Sequence, residues 1–265
     1  MHRFLIGLFL LGGISVQAKD SLPNIVLILA DDMGYGDARC YNPKSINPTP
    51  SIDRLAREGM RFTDAHAPAS FCVPTRYGLL TGRYPHRISL NWRSAALIEE
   101  GRTTVPSALR EKGYATAMIG KWHLGFKGGP DYDYTKRLVG GPVDRGFDSY
   151  FGIPHSLDIV PYYYIRNAKA VQAPIGKVGP RNTEGWTRIQ GEFWREGAIS
   201  VDFKHVEVLP RLTKESVKYI KGRKGAKNPF FLYVALPAPH TPWLPTKKFQ
   251  GKTNNMYSDF VAMVD

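Results

Sequence analysis

Cysteine is nearly missing from this 265-residue chain: Cys40 and Cys72 are its only two. One disulfide at most can form, so a disulfide-stapled scaffold is excluded. Long apolar runs are equally scarce. The one that stands out, from Phe4 to about Val16, is shorter than the ~20 residues a membrane-crossing helix needs. No later segment approaches that length, and no stable membrane span is expected. Acidic residues are in the minority, 23 against 36 Lys and Arg, giving a formal charge of +13. An internal repeat, an N-x-S/T glycosylation acceptor and an aromatic-basic nucleic-acid motif are all absent from the sequence, so no nucleic-acid partner is expected. What is there is 43% hydrophobic and 12% aromatic residues, enough for one large domain with a substantial core.

The first 18 residues, "MHRFLIGLFLLGGISVQA", set a basic start before the apolar run and end in Val16 and Ala18, small enough for a signal peptidase. This predicts a signal peptide over 1–18, a single domain over 19–265 and export to a periplasmic, secreted or lysosomal-type compartment. Removing Arg3 with the signal lowers the formal charge from +13 to +12. A surplus of that size favours anionic partners such as sulfated or phosphorylated molecules and acidic polysaccharide. An exported pair of cysteines also makes a Cys40–Cys72 disulfide one reading of Cys72.

Along the chain, "NIVLILADDMGYGD" (24–37) opens with a β-branched apolar run suited to a strand buried on both faces. A helix follows in "TPSIDRLAREGM", with apolar Ile52, Leu55 and Ala56 on one side and Gly59 as its stop. "VPSALREKG" (105–113) and "YATAMIGKWHLG" (114–125) repeat the alternation as helix and strand. A further helix is expected over 208–222 and a strand in "PFFLYVALPAPHTPW" (229–243). Residues 126–206, rich in Gly, Pro and aromatics, predict long loops and short strands around a site mouth. The fold class is α/β, with a mainly parallel, doubly wound sheet carrying helices on both faces.

In such sheets, ligands bind beyond the carboxyl ends of the strands. Three apolar strands finish in reactive residues: Asp31 and Asp32, then Lys121 and His123, then His240. Adjacent carboxylates on a regular strand point to opposite faces, so Asp31 and Asp32 can share a cation only where the chain leaves the sheet, which Gly34 and Gly36 would permit. Hard carboxylate oxygens favour Ca²⁺ or Mg²⁺, and the competing reading is a loop pair with no metal. Lys121 and His123 are two apart and face the same way in extended chain, unless His123 is simply a core histidine. Pro74 falls in a first helical turn, placing Cys72 near an N-cap where backbone N–H groups favour an anion. Arg76 is one helical turn further on the same face and can hold an anionic group beside Cys72. A cysteine-phosphatase loop needs a longer Cys-to-Arg spacing than the three intervening residues here.

"CVPTRYGLLTG" resembles the signature of the type I sulfatases, C-x-P-S/T/A-R followed by a T-G pair, here Thr81 and Gly82. "NIVLILADDMGYGD" is similar to that family's opening metal strand, "GYATAMIGKWHLG" to its G-K-W-H-L-G segment, "GFDSYFGIPHSLD" to its substrate loop and "PHTPWLP" to its later histidine loop. The likeness is closest to the arylsulfatase A-like group and implies the alkaline phosphatase-like fold. It further implies a sulfuric ester hydrolase whose Cys72 is converted by a formylglycine-generating maturation enzyme, the hydrated aldehyde being the nucleophile. One divalent cation, usually Ca²⁺, would rest on Asp31, Asp32 and the modified residue 72. Arg76 would hold the hydrate ionised, Lys121 and Ser156 would bind sulfate oxygens, His123 would orient the nucleophile or remove its second proton, and His240 would bind substrate and help protonate the leaving alcohol. The substrate would be a sulfated small molecule or glycan. The family continues past the histidine loop to a second metal pair and a small C-terminal domain, so the resemblance reads this chain as the N-terminal part, the catalytic domain being incomplete and the small domain absent. Asn254 and Asn255 sit in a polar stretch and are not taken as metal ligands. Two other readings keep the fold: a phosphonate or phosphodiester hydrolase, and a truncated non-catalytic anion-binding protein.

Overall fold

The computed structural model describes residues 22–265 except 94, 130–132 and 188; the expected signal peptide lies outside the described residues. In chain order the elements are β1 (Ile25–Asp31), α1 (Pro50–Glu58), α2 (Cys72–Thr81), α3 (Val105–Glu111), β2 (Ala115–Lys121), β3 (Ser149–Ile153), β4 (Ile165–Arg166), β5 (Lys169–Ala170), β6 (Gly176–Val178), β7 (Gly197–Ile199), α4 (Val208–Gly222), β8 (Phe230–Pro239) and α5 (Met256–Val264).

The run "FFLYVALPAP" contains no charged residue and is buried throughout as β8. Side chains alternate across a strand. Phe231, Tyr233 and Ala235 enter one core with Val73, Tyr77 and Leu80 of α2, while Leu232, Val234 and Leu236 enter the other with Val208, Leu209 and Leu212 of α4 and Phe260 of α5. β2 divides in the same way, Met118 to the first core and Ala117 and Ile119 to the second. Each large side chain buried this way contributes about 1.5–3 kcal/mol. Helices therefore cover both faces of the sheet at β8 and β2.

The sheet order is β1-β8-β2-β3-β4-β5, and β6 and β7 pair separately. β1, β8, β2 and β3 run parallel, while β4 and β5 add antiparallel to the far edge. β3 lies inside the stretch expected to hold only loops and short strands, and it continues the parallel sheet directly beside β2.

Two expectations are corrected. β1 is an edge strand, not one buried on both faces: Ile25, Leu27 and Leu29 pack on the α2 core, whereas Val26 and Ile28 are 45% and 59% exposed. Helices α4 and α5 pack over β8 and β2, and their cover does not extend to β1. Helix α1 forms where expected, but it buries none of its residues, Leu55 included. Asn255, in the stretch read as a polar loop, caps α5 by accepting from the backbone N–H groups of Tyr257 and Ser258.

Candidate active site

β1 ends on Asp31, opposite Pro239 of β8 after a break in register. The next residue, Asp32, takes a left-handed φ of 61°. That conformation costs a non-glycine residue roughly 1–2 kcal/mol and concentrates at functional sites. The chain thus leaves the sheet at Asp32 itself, not at Gly34, whose φ is −72°. One carboxylate remains buried and the other turns outward, with the Asp32 side chain 54% exposed.

β2 delivers Lys121 to the same sheet edge. Gly120 before it has a φ of 125° and lies so close to β8 that a Cβ would sit 1.9 Å from the Ala235 carbonyl oxygen. No other residue fits there. The chain from Lys121 to His123 is not extended as expected, because His123 has a φ of 57°, yet the Lys121 charge still acts on the His123 ring. Lys121 points to Asp31, and the His123 ring stands nearly perpendicular to that of Trp92 with centroids 4.5 Å apart.

Helix α2 supplies Cys72 and Arg76. Phe71 is its extended N-cap and Gly82, with a φ of 66°, ends it in the left-handed form common after helices. Cys72 and Cys40 are both free thiols, so the disulfide reading is set aside. Arg76 is 1% exposed and donates through Nη2 to Asp31 Oδ1 at 3.1 Å and through Nη1 to the Lys121 carbonyl at 2.9 Å. Lys121, 0% exposed, donates through Nζ to Asp31 Oδ2 and to Ser156 Oγ.

Asp31, Arg76, Lys121 and Ser156 therefore form one buried network. Burial pushes the Asp31 carboxyl up, but the Lys121 and Arg76 charges outweigh it and hold the group well below the usual carboxylate range. Burial likewise opposes the Arg76 charge, and Asp31 more than restores it. The network carries two cations against one anion. A surplus positive charge under cover is costly unless an anion meets it.

His240 lies just past β8. Its Nδ1 donates to the Thr241 carbonyl at 2.6 Å, leaving Nε2 facing Asp32 Oδ2 at 3.5 Å. His123 is buried, and neither ring nitrogen has a hydrogen-bond partner among the described residues. Burial and then the Lys121 charge push its imidazole well below its ordinary pKa of 6.5. A neutral, unpaired and buried imidazole forgoes about 1–3 kcal/mol that a ligand oxygen or hydroxyl could return. Sequence reasoning missed Trp92 and His155, whose rings approach that of His123 at 4.5 and 6.3 Å. Only the position of His155 beside Ser156 could have pointed to it.

Asp31 and Asp32 offer the hard oxygens that Ca²⁺ takes. Both Asp31 oxygens are paired with Arg76 and Lys121, and among the described residues no group of three or more His, Cys, Asp or Glu side chains is gathered around the two aspartates.

Buried cations gathered at the carboxyl edge of a parallel sheet, beside a helix start, suit the binding of an anionic group. The family model for sulfatases matches residues 23–260, and the chain belongs to that family. It is 34% identical over 264 residues to an N-acetylgalactosamine-6-O-sulfatase of Bacteroides thetaiotaomicron, covering 87% of this chain and 51% of the relative. It is also 34% identical to arylsulfatase G of Homo sapiens, covering 86% and 43% respectively. The chain spans about half the length of the curated relatives it matches. Among solved structures, one from work on the metabolism of multiple glycosaminoglycans by Bacteroides thetaiotaomicron superposes with a TM-score of 0.76 at 31% identity, covering 91% of this chain and 56% of that one. A sulfatase-fold protein of Bacteroides fragilis superposes at 0.63 with 22% identity, covering 95% and 58%. The mostly parallel sheet is that of the alkaline phosphatase-like sulfatase fold.

Proposed function

We propose that the protein hydrolyses sulfate esters at the Asp31–Arg76–Lys121–Ser156 network, within a catalytic domain beginning at residue 19. The observation that carries this reading is the pair of buried cations, Arg76 and Lys121, sharing the single carboxylate of Asp31. Fixed positive charge that needs no reorganisation is the main device for stabilising charge developing on a transferred oxyanion group. Formylglycine made from Cys72 by a maturation enzyme would supply the nucleophilic oxygen, and a divalent cation, Ca²⁺ by resemblance, on Asp31, Asp32 and residue 72 would offset charge there.

The chain's own residues do the rest. Lys121 and Ser156, already hydrogen-bonded to each other, bind sulfate oxygens. Arg76, its guanidinium fixed by Asp31 and the Lys121 carbonyl, holds charge beside the start of α2. The unpaired nitrogens of His123 accept a proton from, or orient, the group at position 72. His240, tethered through Nδ1, keeps Nε2 for the leaving alcohol. The relatives named for sulfated sugars support a sulfated glycan as substrate, and the N-terminal segment supports export.

The test compares hydrolysis of an aryl sulfate with that of the matching aryl phosphate by the full-length protein. Faster turnover of the sulfate is expected. A large preference for phosphate would move the protein to the phosphonate and phosphodiester branch of the fold, and turnover of neither ester would leave only anion binding.

A further inference from the structure

Beside the network lies a cavity of about 410 Å³ walled by Trp92, Phe126, His155 and Tyr163, with Arg93 and Arg195 among its lining residues. Its volume falls in the range of small-molecule sites, about 300–1,000 Å³. Two contacts join it to the reaction centre. His155 directly precedes Ser156, the hydroxyl that accepts from Lys121, and the Trp92 and His123 rings meet nearly at right angles with centroids 4.5 Å apart. Lys121 and Ser156 do not line the cavity themselves, but these contacts put its wall next to them, within reach of the rest of a molecule whose sulfate they hold.

The walls state what they would hold. Flat aromatic faces suit the C–H surface of a sugar ring as well as an aryl group. The two arginines are not equivalent. Arg195 spends its charge within the protein, donating through Nη1 to Asp158 Oδ2 at 2.6 Å. Arg93 has no carboxylate partner among the described residues, and its guanidinium is held over the Trp92 ring, 5.2 Å from the centroid. An exposed guanidinium stacked on an indole, with no carboxylate partner among the described residues, is suited to bind a planar or tetrahedral anion.

We propose that this cavity receives the sugar portion of the substrate and that Arg93 recognises a second anionic group on it, a carboxylate or another sulfate. The substrate class is then a polyanionic glycan, not an isolated aryl sulfate or a neutral sugar sulfate. This rests on the sulfate-ester reading above.

Three sulfated disaccharides test it on the full-length protein: one carrying a uronate carboxylate, one carrying a second sulfate and no carboxylate, and one carrying neither. At least one of the first two should have the highest kcat/KM. Arg93→Ala should cut that advantage by roughly 10–100-fold, mainly through KM, which is the range of one charge-assisted hydrogen bond. Arg93→Lys should restore part of it, since a point charge replaces the fork. The arm that loses more identifies the anionic group. Ratios among the three substrates that Arg93→Ala leaves unaltered would overturn the proposal. Failure to hydrolyse any sulfate ester would instead strike the parent reading, and calorimetric binding of the desulfated uronate and sulfated disaccharides still decides this one. At least tenfold weaker binding of one of them by Arg93→Ala supports it, and equal Kd values for both refute it.

Discussion

Arg76 donates a guanidinium N–H to the main-chain carbonyl of Lys121 at 2.9 Å, so two buried cations are locked side by side. Asp31 is the only carboxylate paired with either of them among the described residues. Removing one partner of a buried ion pair costs about 3–5 kcal/mol, because the remaining charge stays buried without compensation. Asp31→Ala should therefore lower stability by about that amount as well as activity, in denaturant unfolding of the protein. Adding Lys121→Met to Asp31→Ala removes one of the two cations left unpaired and should recover part of the stability but none of the activity. A single variant as stable as the wild type would mean that Asp31 does not hold the pair.

Cys72 opens α2 as a free, half-buried thiol. Protein co-produced with a formylglycine-generating enzyme should carry an aldehyde at residue 72, read by peptide mass spectrometry. Cys72→Ala should abolish sulfate-ester turnover while shifting stability by only about 1 kcal/mol or less, as a small half-buried substitution does. Full activity of the unmodified protein, or of the Cys72→Ala variant, would remove residue 72 from the chemistry.

The role given to His240 separates by leaving group. An aryl oxide leaves without a proton, whereas an alkoxide needs one. His240→Ala should lower kcat on an alkyl sulfate by roughly a hundredfold or more, within the usual range for a general acid, and on an activated aryl sulfate much less. Equal losses on both would reassign His240 to binding.

Much of this was written in the sequence because it is local. The helix over 208–222 follows from its apolar period and is found at those residues as α4. Cys72, Pro74 and Arg76 could be placed on one helix from spacing alone. What escaped depends on partners far away in the chain. An apolar run such as β1 reads the same whether or not a helix covers its second face, so the exposure of Val26 and Ile28 was hidden. Left-handed backbone is expected at glycine, which directed attention to Gly34 and away from Asp32. Trp92, Arg93 and His155 belong to no periodic element, and only the folded chain sets them against His123 and Ser156.

The last prediction concerns acid sensitivity and a histidine away from the site. His205 is buried with its ring stacked on Trp194 at 4.3 Å and edge-on to Tyr162 at 4.5 Å. Burial pushes its pKa down from the ordinary 6.5 to about 4, a backbone hydrogen bond opposing in part. Between those values the unfolded chain binds a proton that the native protein does not, so stability rises with pH through this window and falls as pH drops. A shift of that size corresponds to a loss of about 3 kcal/mol on acidification from neutral pH to below 4. His155, pushed down to about 3 by its burial, adds in the same direction. His205→Phe keeps the aromatic packing and removes the titration. Its unfolding free energy should depend less steeply on pH between 6.5 and 4 than that of the wild type, even if its stability at neutral pH is lower for want of the backbone hydrogen bond. Denaturant unfolding at a series of pH values checks this, and parallel slopes for the two proteins would show that His205 is protonated in the native state.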